Sequence, residues 1–386
     1  VGISVDRLLE LGRQNPGDLG EPFCMTVLAL KGSRAANGVS ELHGAVSREM
    51  WHCLYPAGKV DDVPIGHVTN GIHVAGWMKG TVRRFWRKKL GAAHEFPDTT
   101  TSETTRFWKS KPTIDWEREI NMPEFWSRMA DPTFISDEEL WSLRYRLRRE
   151  LIEFTRRRLL LQGQRLTQGD FITFDHMLNP DALTIGFARR FATYKRAPLI
   201  FRDPQRLHRI LADAKRPVQI VFAGKSHPAD EGGKHHLQQV YRRALDPMFG
   251  GRIAFVDDYD LHVAHFLVQG CDVWLNNPVR PMEACGTSGE KAALNGALNC
   301  SVRDGWWDEM SDGGNGWDIP TSELDGHRLI SNNSIWRQFP VIRNRAWSSG
   351  RHVLLGDAHT SAHYSIGSGT RIAMEDSVVL ADSLVT

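Results

Sequence analysis

Apolar positions recur along this chain with two different periods. Near the start Val5, Leu8, Leu9 and Leu11 fall at helix-like spacing, and an apolar run at 25–30 follows. The longest helical pattern covers 137–165. Asp137, Glu138 and Glu139 open it, and a strongly basic remainder that includes Arg156, Arg157 and Arg158 completes it. Acidic residues first and basic ones later complement a helix macrodipole, so the arginine run reads as a solvated helix face. From Leu183 the texture changes. Strand-like runs lie at 183–187, 218–223, 252–256, 273–275 and 297–302, with helical patterns between them, as at 204–214 and 234–245. Repeated β-α units predict a parallel, doubly wound sheet, with ligands beyond the carboxyl ends of its strands. The motifs richest in chemistry fall at those ends: 188–195, Gly224-Lys225, Asp257-Asp258-Tyr259 and 276–291.

The densest of these is Glu283-Ala284-Cys285-Gly286-Thr287-Ser288-Gly289-Glu290-Lys291-Ala292-Ala293-Leu294-Asn295-Gly296. Flanked by apolar runs, it reads as strand, small-residue loop, short helix, strand. Free backbone N–H groups in such a loop can hold an anion, and Lys291 can reach a carbonyl or a phosphate. A P-loop is excluded, because no Gly immediately precedes Lys291 and Ala292 stands where Ser or Thr would bind magnesium. Two local readings stay open: a Gly-rich connection with a surface lysine, and a lysine that forms a Schiff base with pyridoxal phosphate.

Arg189, Arg190, Lys195 and Arg196 follow the first strand of this region. A basic helix start on the surface is one reading. Cations there oppose the helix dipole and need an anionic partner, which phosphate groups would supply. Asn70-Gly71 reads as a turn, 77–88 is basic and aromatic, and 98–113 is a Thr/Ser-rich loop. His235-His236 and His262/His265 lack a complete ligand set and read as structural, so no metal site is expected.

Length and charge narrow the classes. A chain of 386 residues suggests two or three domains. Its net charge of +2 gives no bulk attraction for nucleic acid or membrane, and no run approaches a membrane span. Five cysteines without a C-x-x-C pair suit a reduced, cytoplasmic setting. The start, Val1-Gly2-Ile3-Ser4, has neither an initiator Met nor a leader pattern, and reads as the interior of something longer.

The segment around Lys291 resembles the cofactor-lysine motif of the α-glucan (glycogen, starch, maltodextrin) phosphorylases, and more closely their bacterial short-form branch. Asn37-Gly38-Val39-Ser40-Glu41-Leu42-His43, Thr69-Asn70-Gly71-Ile72 and Arg189-Arg190-Phe191-Ala192-Thr193-Tyr194-Lys195-Arg196 are similar to three further motifs of that family, in its order. The resemblance runs over roughly 1–326, through Asp304-Gly305-Trp306-Trp307 to Pro320. It implies an α/β, two-domain GT-B-like glycosyltransferase fragment: 1–75 would end an N-terminal domain, and 76–326 would form a Rossmann-like domain holding pyridoxal 5'-phosphate. The implied reaction is phosphorolysis of α-1,4-glucan by inorganic phosphate to glucose 1-phosphate, with retention. Lys291 would carry the cofactor. Arg189, Thr287, Tyr259 and Lys195 would lie around it, with Arg189 and Thr287 on its phosphate. Arg190 and Lys195 would bind inorganic phosphate. Asn70, Tyr194, Glu283 and the Cys285 and Gly286 backbone would contact the sugar, and His43 would sit in a helix beside the cleft.

Several positions depart from the family pattern. Arg189 stands where much of the family has Lys. Glu290 replaces a common Met, and a carboxylate there raises the Lys291 pKa if it faces the amine. Cys285 lacks a neighbouring His, and the family often has Ser there, which argues against a nucleophile. The Gly-rich helix start and histidine loop of the family's first domain are not found, so the resemblance implies that this chain alone is inactive. Preferred glucan and homo-oligomer formation are not legible.

The tail, 327–386, is of another kind. Gly356-Asp357-Ala358-His359 and Ile366-Gly367-Ser368-Gly369-Thr370 resemble the second flavin-binding motif of FAD-dependent aromatic hydroxylases, particularly those acting on aryl-CoA thioesters. Gly356, Asp357, Gly367 and Gly369 would then face the flavin. No strand is followed by the G-x-G-x-x-G that opens such an enzyme, so the tail is not expected to bind FAD by itself. The alternative function is an FAD-dependent monooxygenase fragment fused to a non-catalytic glucan-binding remnant. Two families, each incomplete, point to a natural fusion or a chimeric reading frame.

Overall fold

The computed structural model of the protein describes residues 4–89, 133–166 and 177–320, with short strand pairs at 323–324/328–329 and 348–349/352–353. Helices α1 (Val5–Leu11) and α2 (Met25–Gly32) precede a small parallel pair, β1 (Ala36–Gly38) and β2 (Ile65–His67), joined through α3 (Glu41–Trp51). Ser40 starts α3, its hydroxyl accepting the His43 N–H at 3.1 Å, a cap contributing about 1 kcal/mol. Next come α4 (Val74–Trp77), α5 (Gly80–Lys89) and the long α6 (Asp137–Leu166), whose bounds match the predicted helix closely.

The main sheet then forms from β3 (Leu183–Ala188), α7 (Pro204–Leu211), β4 (Val218–Ala223), α8 (Glu231–Ala244), β5 (Ile253–Val256), α9 (Leu261–Gly270), β6 (Val273–Asn276), α10 (Ser288–Ala293), β7 (Leu298–Val302), α11 (Trp306–Met310) and β8 (Gly316–Ile319). All five strand runs expected from the sequence are strands, and β8 adds a sixth. Two differences stand out. The basic segment after β3 forms short 3-10 turns (Thr193–Lys195 and Ala197–Phe201) rather than a helix start. Helix α9, which the periodicity left unassigned, covers much of one sheet face.

Strand order is β5-β4-β3-β6-β7-β8, every pair parallel. The chain starts in the middle, runs outward through β4 and β5, returns to lay β6 beside β3, and runs outward the other way. Connections therefore diverge between β3 and β6, which opens a crevice at their carboxyl ends. Alternation fixes the two faces. Ile220, Phe222, Ile253 and Phe255 pack with Leu207 and Leu211 of α7 and Val240 of α8. Val221, Ala223, Ala254 and Val256 pack with Leu151 of α6, Val263 and Leu267 of α9 and Ala292 of α10. Burial on both faces is why these strands read as continuous apolar runs. Removing a side chain such as Phe222 from water is worth about 1.5–3 kcal/mol.

The basic face of α6 is only partly solvated, contrary to the expectation above. Arg144 and Arg148 are 6% and 1% exposed. Arg148 forks onto both Asp272 oxygens at 3.0 Å, and Arg144 donates to the Gln269 and Asn295 carbonyls at 3.1 and 2.6 Å and to the Cys271 carbonyl. Asp272 also accepts the Thr184 N–H at 2.9 Å. Arg156 donates to the Met177 and Leu178 carbonyls, and Arg158 to those of Asp257 and Asp258. Periodicity could not foresee this, because the acceptors come from loops far away in sequence.

Asp272→Ala is expected to destabilise the fold by about 3–5 kcal/mol in urea unfolding, because it strands two buried guanidinium groups. A loss under about 1 kcal/mol would show that Asp272 does not hold α6 to the sheet.

Candidate functional site

The site is built from segments that leave the carboxyl ends of β3, β6 and β7. Arg189 follows β3 directly, and Glu283 lies in the loop after β6. The Arg189 Nη2 donates to Glu283 Oε1 at 2.7 Å, and the Lys195 Nζ donates to Glu283 Oε2 at 2.6 Å. All three residues are 7% exposed. Burial pushes the Glu283 carboxyl up, but the charges of Arg189 and Lys195 more than offset this and hold it below the usual range. The other guanidinium nitrogen, Arg189 Nη1, is buried without a hydrogen-bond partner. Close backbone approach makes this packing possible. Gly224 after β4 has φ +154°, and a Cβ there would lie 2.0 Å from the Arg189 carbonyl oxygen.

Tyr194 and Tyr259 border the cluster. The Tyr194 ring carries the Lys195 Nζ at 4.6 Å from its centroid, and the Tyr194 carbonyl accepts the Val279 N–H at 2.7 Å. Tyr259, partly buried after β5, lies within the field of Arg189; burial raises its hydroxyl above the ordinary value. Lys225 and Asp258, at the neighbouring strand ends, form an exposed pair at 2.8 Å. Arg190 is not brought into the cluster: it is exposed, without an ion-pair partner among the described residues.

Lys291 sits on α10, a helix of six residues, half-buried, with its Nζ 4.2 Å from the centre of the Trp77 ring. Burial pushes its amine below the usual lysine range, and Glu290 and Cys285 oppose the shift. Trp77 stacks on His265 at 4.3 Å. The Asn295 Nδ2 donates to the Trp77 and Lys291 carbonyls at 3.0 and 2.9 Å, which fixes α4 against α10. Thr287 precedes α10, and its side chain caps no helix N–H. Cys285 is buried, its Sγ 3.7 Å from Glu290 Oε1. Burial first, then Glu290, pushes the thiol well above its ordinary value, which opposes a thiolate nucleophile.

The early segments close over this loop. The Ser40 hydroxyl donates to the Ala284 carbonyl at 2.7 Å, and the Thr69 hydroxyl and Glu41 N–H donate to Glu309 at 2.7 and 2.8 Å. The Asn70 N–H donates to the Val39 carbonyl at 3.0 Å, while the residue itself stays exposed at the edge. His43 lies in α3, its Nδ1 3.1 Å from the Val39 N–H. Gly286 has φ +91°, inside the same loop. Gly356, Asp357, Gly367 and Gly369 of the tail lie outside the described residues.

Sequence reasoning missed two members. Trp77 was read only as part of a basic, aromatic stretch. Asp304, two residues past the end of β7, accepts the Glu283 and Gly305 N–H groups at 3.0 and 2.9 Å and so anchors the loop. Its position at a strand end was the available signal. A cavity of about 410 Å³ between α5 and α6, lined by Phe85, Arg146 and Leu143, shares no residue with this cluster.

Comparison with known proteins separates the chain into two parts. It is 44% identical over 326 residues to a glycogen phosphorylase of Mycobacterium bovis, covering 83% of this chain and 34% of that protein. It is 39% identical over 326 residues to a maltodextrin phosphorylase of Thermococcus litoralis, covering 84% of this chain and 35% of that protein. The chain thus spans about a third of the length of these curated relatives. A stretch of 67 residues is 54% identical to a salicyloyl-CoA 5-hydroxylase of a Streptomyces species, covering 17% of this chain and 13% of that enzyme. No family model matches the chain.

Burial raises the Asp304 carboxyl to about 7. An acid whose folded pKa exceeds its unfolded value takes up a proton on folding. Its contribution to stability is therefore present below about pH 4 and lost as pH rises through about 7. Asp304→Asn cannot ionise and should flatten the decline in unfolding free energy between about pH 4 and 8. Urea titrations at stepped pH check this, and an unchanged slope counts against a protonated Asp304.

Proposed function

Most of this chain is homologous to glycogen and maltodextrin phosphorylases, and we propose that it is the cofactor-bearing portion of such an enzyme, acting on α-1,4-glucan. The observation that carries this reading is the meeting of Arg189, Lys195 and Glu283 in one buried cluster at the β3/β6 switch point, Glu283 lying on the β6–β7 connection that also carries Lys291 on α10. A two-domain GT-B arrangement follows as part of the proposal: 1–75 belongs to the sugar-side domain, 76–326 to the cofactor domain and 327–386 to the hydroxylase-like tail. Inorganic phosphate, glucan and glucose 1-phosphate are the partners, in the cytoplasm. Among the described residues no helix is long and apolar enough to cross a membrane.

The residues fit pyridoxal phosphate. Lys291 offers a half-buried amine pushed toward its neutral form, and Arg189 offers a buried N–H without an acceptor. Lys291 would hold the cofactor, with Arg189 and Thr287 toward its phosphate and Tyr259 beside it. The chemistry the group supplies when bound is a phosphate able to exchange a proton with the substrate phosphate. This chain's part is to place charge. Lys195 would hold the substrate phosphate, and its cation stabilises negative charge as the glycosidic bond breaks; Arg190, exposed in this structure, would have to turn inward to join it. Glu283, Asn70, Tyr194 and the Cys285–Gly286 backbone orient the sugar. The flavin-monooxygenase alternative rests on the short match alone.

Borohydride reduction of the chain with pyridoxal phosphate, followed by peptide mass mapping, tests the assignment. A pyridoxyl adduct confined to Lys291 and lost in Lys291→Ala is expected. Scattered labelling, or none, would reject the cofactor reading.

A further inference from the structure

The charge balance around Glu283 carries an inference that rests on the reading above and extends it. Arg189 and Lys195 bring two positive charges, Glu283 brings one negative charge, and all three are withdrawn from water. The nearby Asp304 carboxyl is raised to about 7 and adds little compensating charge below that pH. A buried N–H of Arg189 still lacks an acceptor. Such a cluster is short of negative charge and of acceptor oxygens, and a phosphate dianion supplies both. The parts also differ in freedom. The Glu283 backbone is pinned by its N–H bond to Asp304, and Lys195 rests on the Tyr194 ring. Arg189 and Lys195 leave β3 on one segment while Glu283 comes from the separate loop after β6, so its side chain can turn away without moving the segment that carries the cations.

We propose that Glu283 is a resident counter-ion of the Arg189–Lys195 pair, exchanged for a phosphate dianion, and that the exchange frees its carboxylate to accept from a sugar hydroxyl. Phosphate and sugar then help each other bind through one side chain, and the coupling is reciprocal. The dianion can be inorganic phosphate or the phosphate ester of the cofactor; the chemistry recognised is the same.

Calorimetric titration of the purified chain with inorganic phosphate, pyridoxal phosphate and pyridoxal tests the exchange. Glu283→Gln has no anion to displace and should bind the arriving phosphate about tenfold more tightly than the wild type. A gain with inorganic phosphate assigns the exchange to the free ion. A gain with pyridoxal phosphate but not pyridoxal assigns it to the cofactor ester. Equal or weaker binding of both phosphates overturns the proposal. Glu309→Gln removes a nearby carboxylate tied to Thr69 and Glu41, and an equal gain there would reduce the effect to net charge and also overturn it. Glu283→Asp keeps the charge on a shorter arm and should fall between wild type and Gln, which covers a poorly folded Gln variant. Maltotriose should tighten phosphate binding to the wild type but not to Glu283→Gln; no tightening in the wild type rejects the coupling. The exchange and the cofactor reading fail separately: a Lys291 adduct without the affinity gain rejects the exchange alone, and no adduct rejects the site.

Discussion

The buried carboxylate of Asp272 is the constraint on which the rest of this structure depends. It sits at the start of β6 and takes the Arg148 fork and the Thr184 N–H of β3. One side chain thus joins the long helix α6 to the two strands where the winding reverses. β3 and β6 share only two paired positions, Ile185 with Val273 and Gly186 with Trp274. So short a pairing relies on what surrounds it. With Arg144 drawing in the carbonyls at the end of α9, the amino-terminal edge of the sheet is cross-braced by charge. The opposite edge is left free to diverge.

That divergence makes the crevice, and a second carboxylate occupies it. Asp272 and Glu283 are both buried and each meets two cations, yet their settings differ. Asp272 is surrounded by donors that are all used. Glu283 faces a guanidinium with an N–H left over and lies on a loop tied down only through its backbone and neighbours. A saturated buried ion cluster braces a fold, whereas an unsaturated one leaves a costly unpaired donor that a ligand could satisfy. Lys291 lies farther along the same β6–β7 connection, on α10. Its amine rests on Trp77 and loses proton affinity through burial, which favours the nucleophilic, neutral form.

The early segments contribute less mass but close the loop. Ser40, Glu41 and Thr69 reach Ala284 and Glu309 across more than two hundred residues of chain. Gly305, at φ +58°, lets the Trp306 N–H approach the Cys285 carbonyl at 3.0 Å, and a Cβ there would lie 2.1 Å from that oxygen. The hydroxylase-like match covers 17% of the chain.

Much of this was legible in the sequence. Continuous apolar runs announced the strands, because burial on both faces removes the polar alternation that an exposed face would impose. The lysine motif and the basic segment after β3 announced the site, because strand ends are where a doubly wound sheet presents its loops. The sequence could not say which charges meet. Arg190 and Arg189 are adjacent, yet one is exposed and the other buried on Glu283, since successive residues leaving a strand point to opposite sides. The arginine run 156–158 read as a solvated face, and Arg157 is exposed, but Arg156 and Arg158 reach loop carbonyls; on the same helix Arg144 and Arg148 are interior, because their partners come from the α9–β6 corner and the loop before β7. Trp77 and Asp304 joined the site unannounced for the same reason. Periodicity reports which face of an element is apolar; only the assembled fold decides which distant loop supplies the partner for a buried charge.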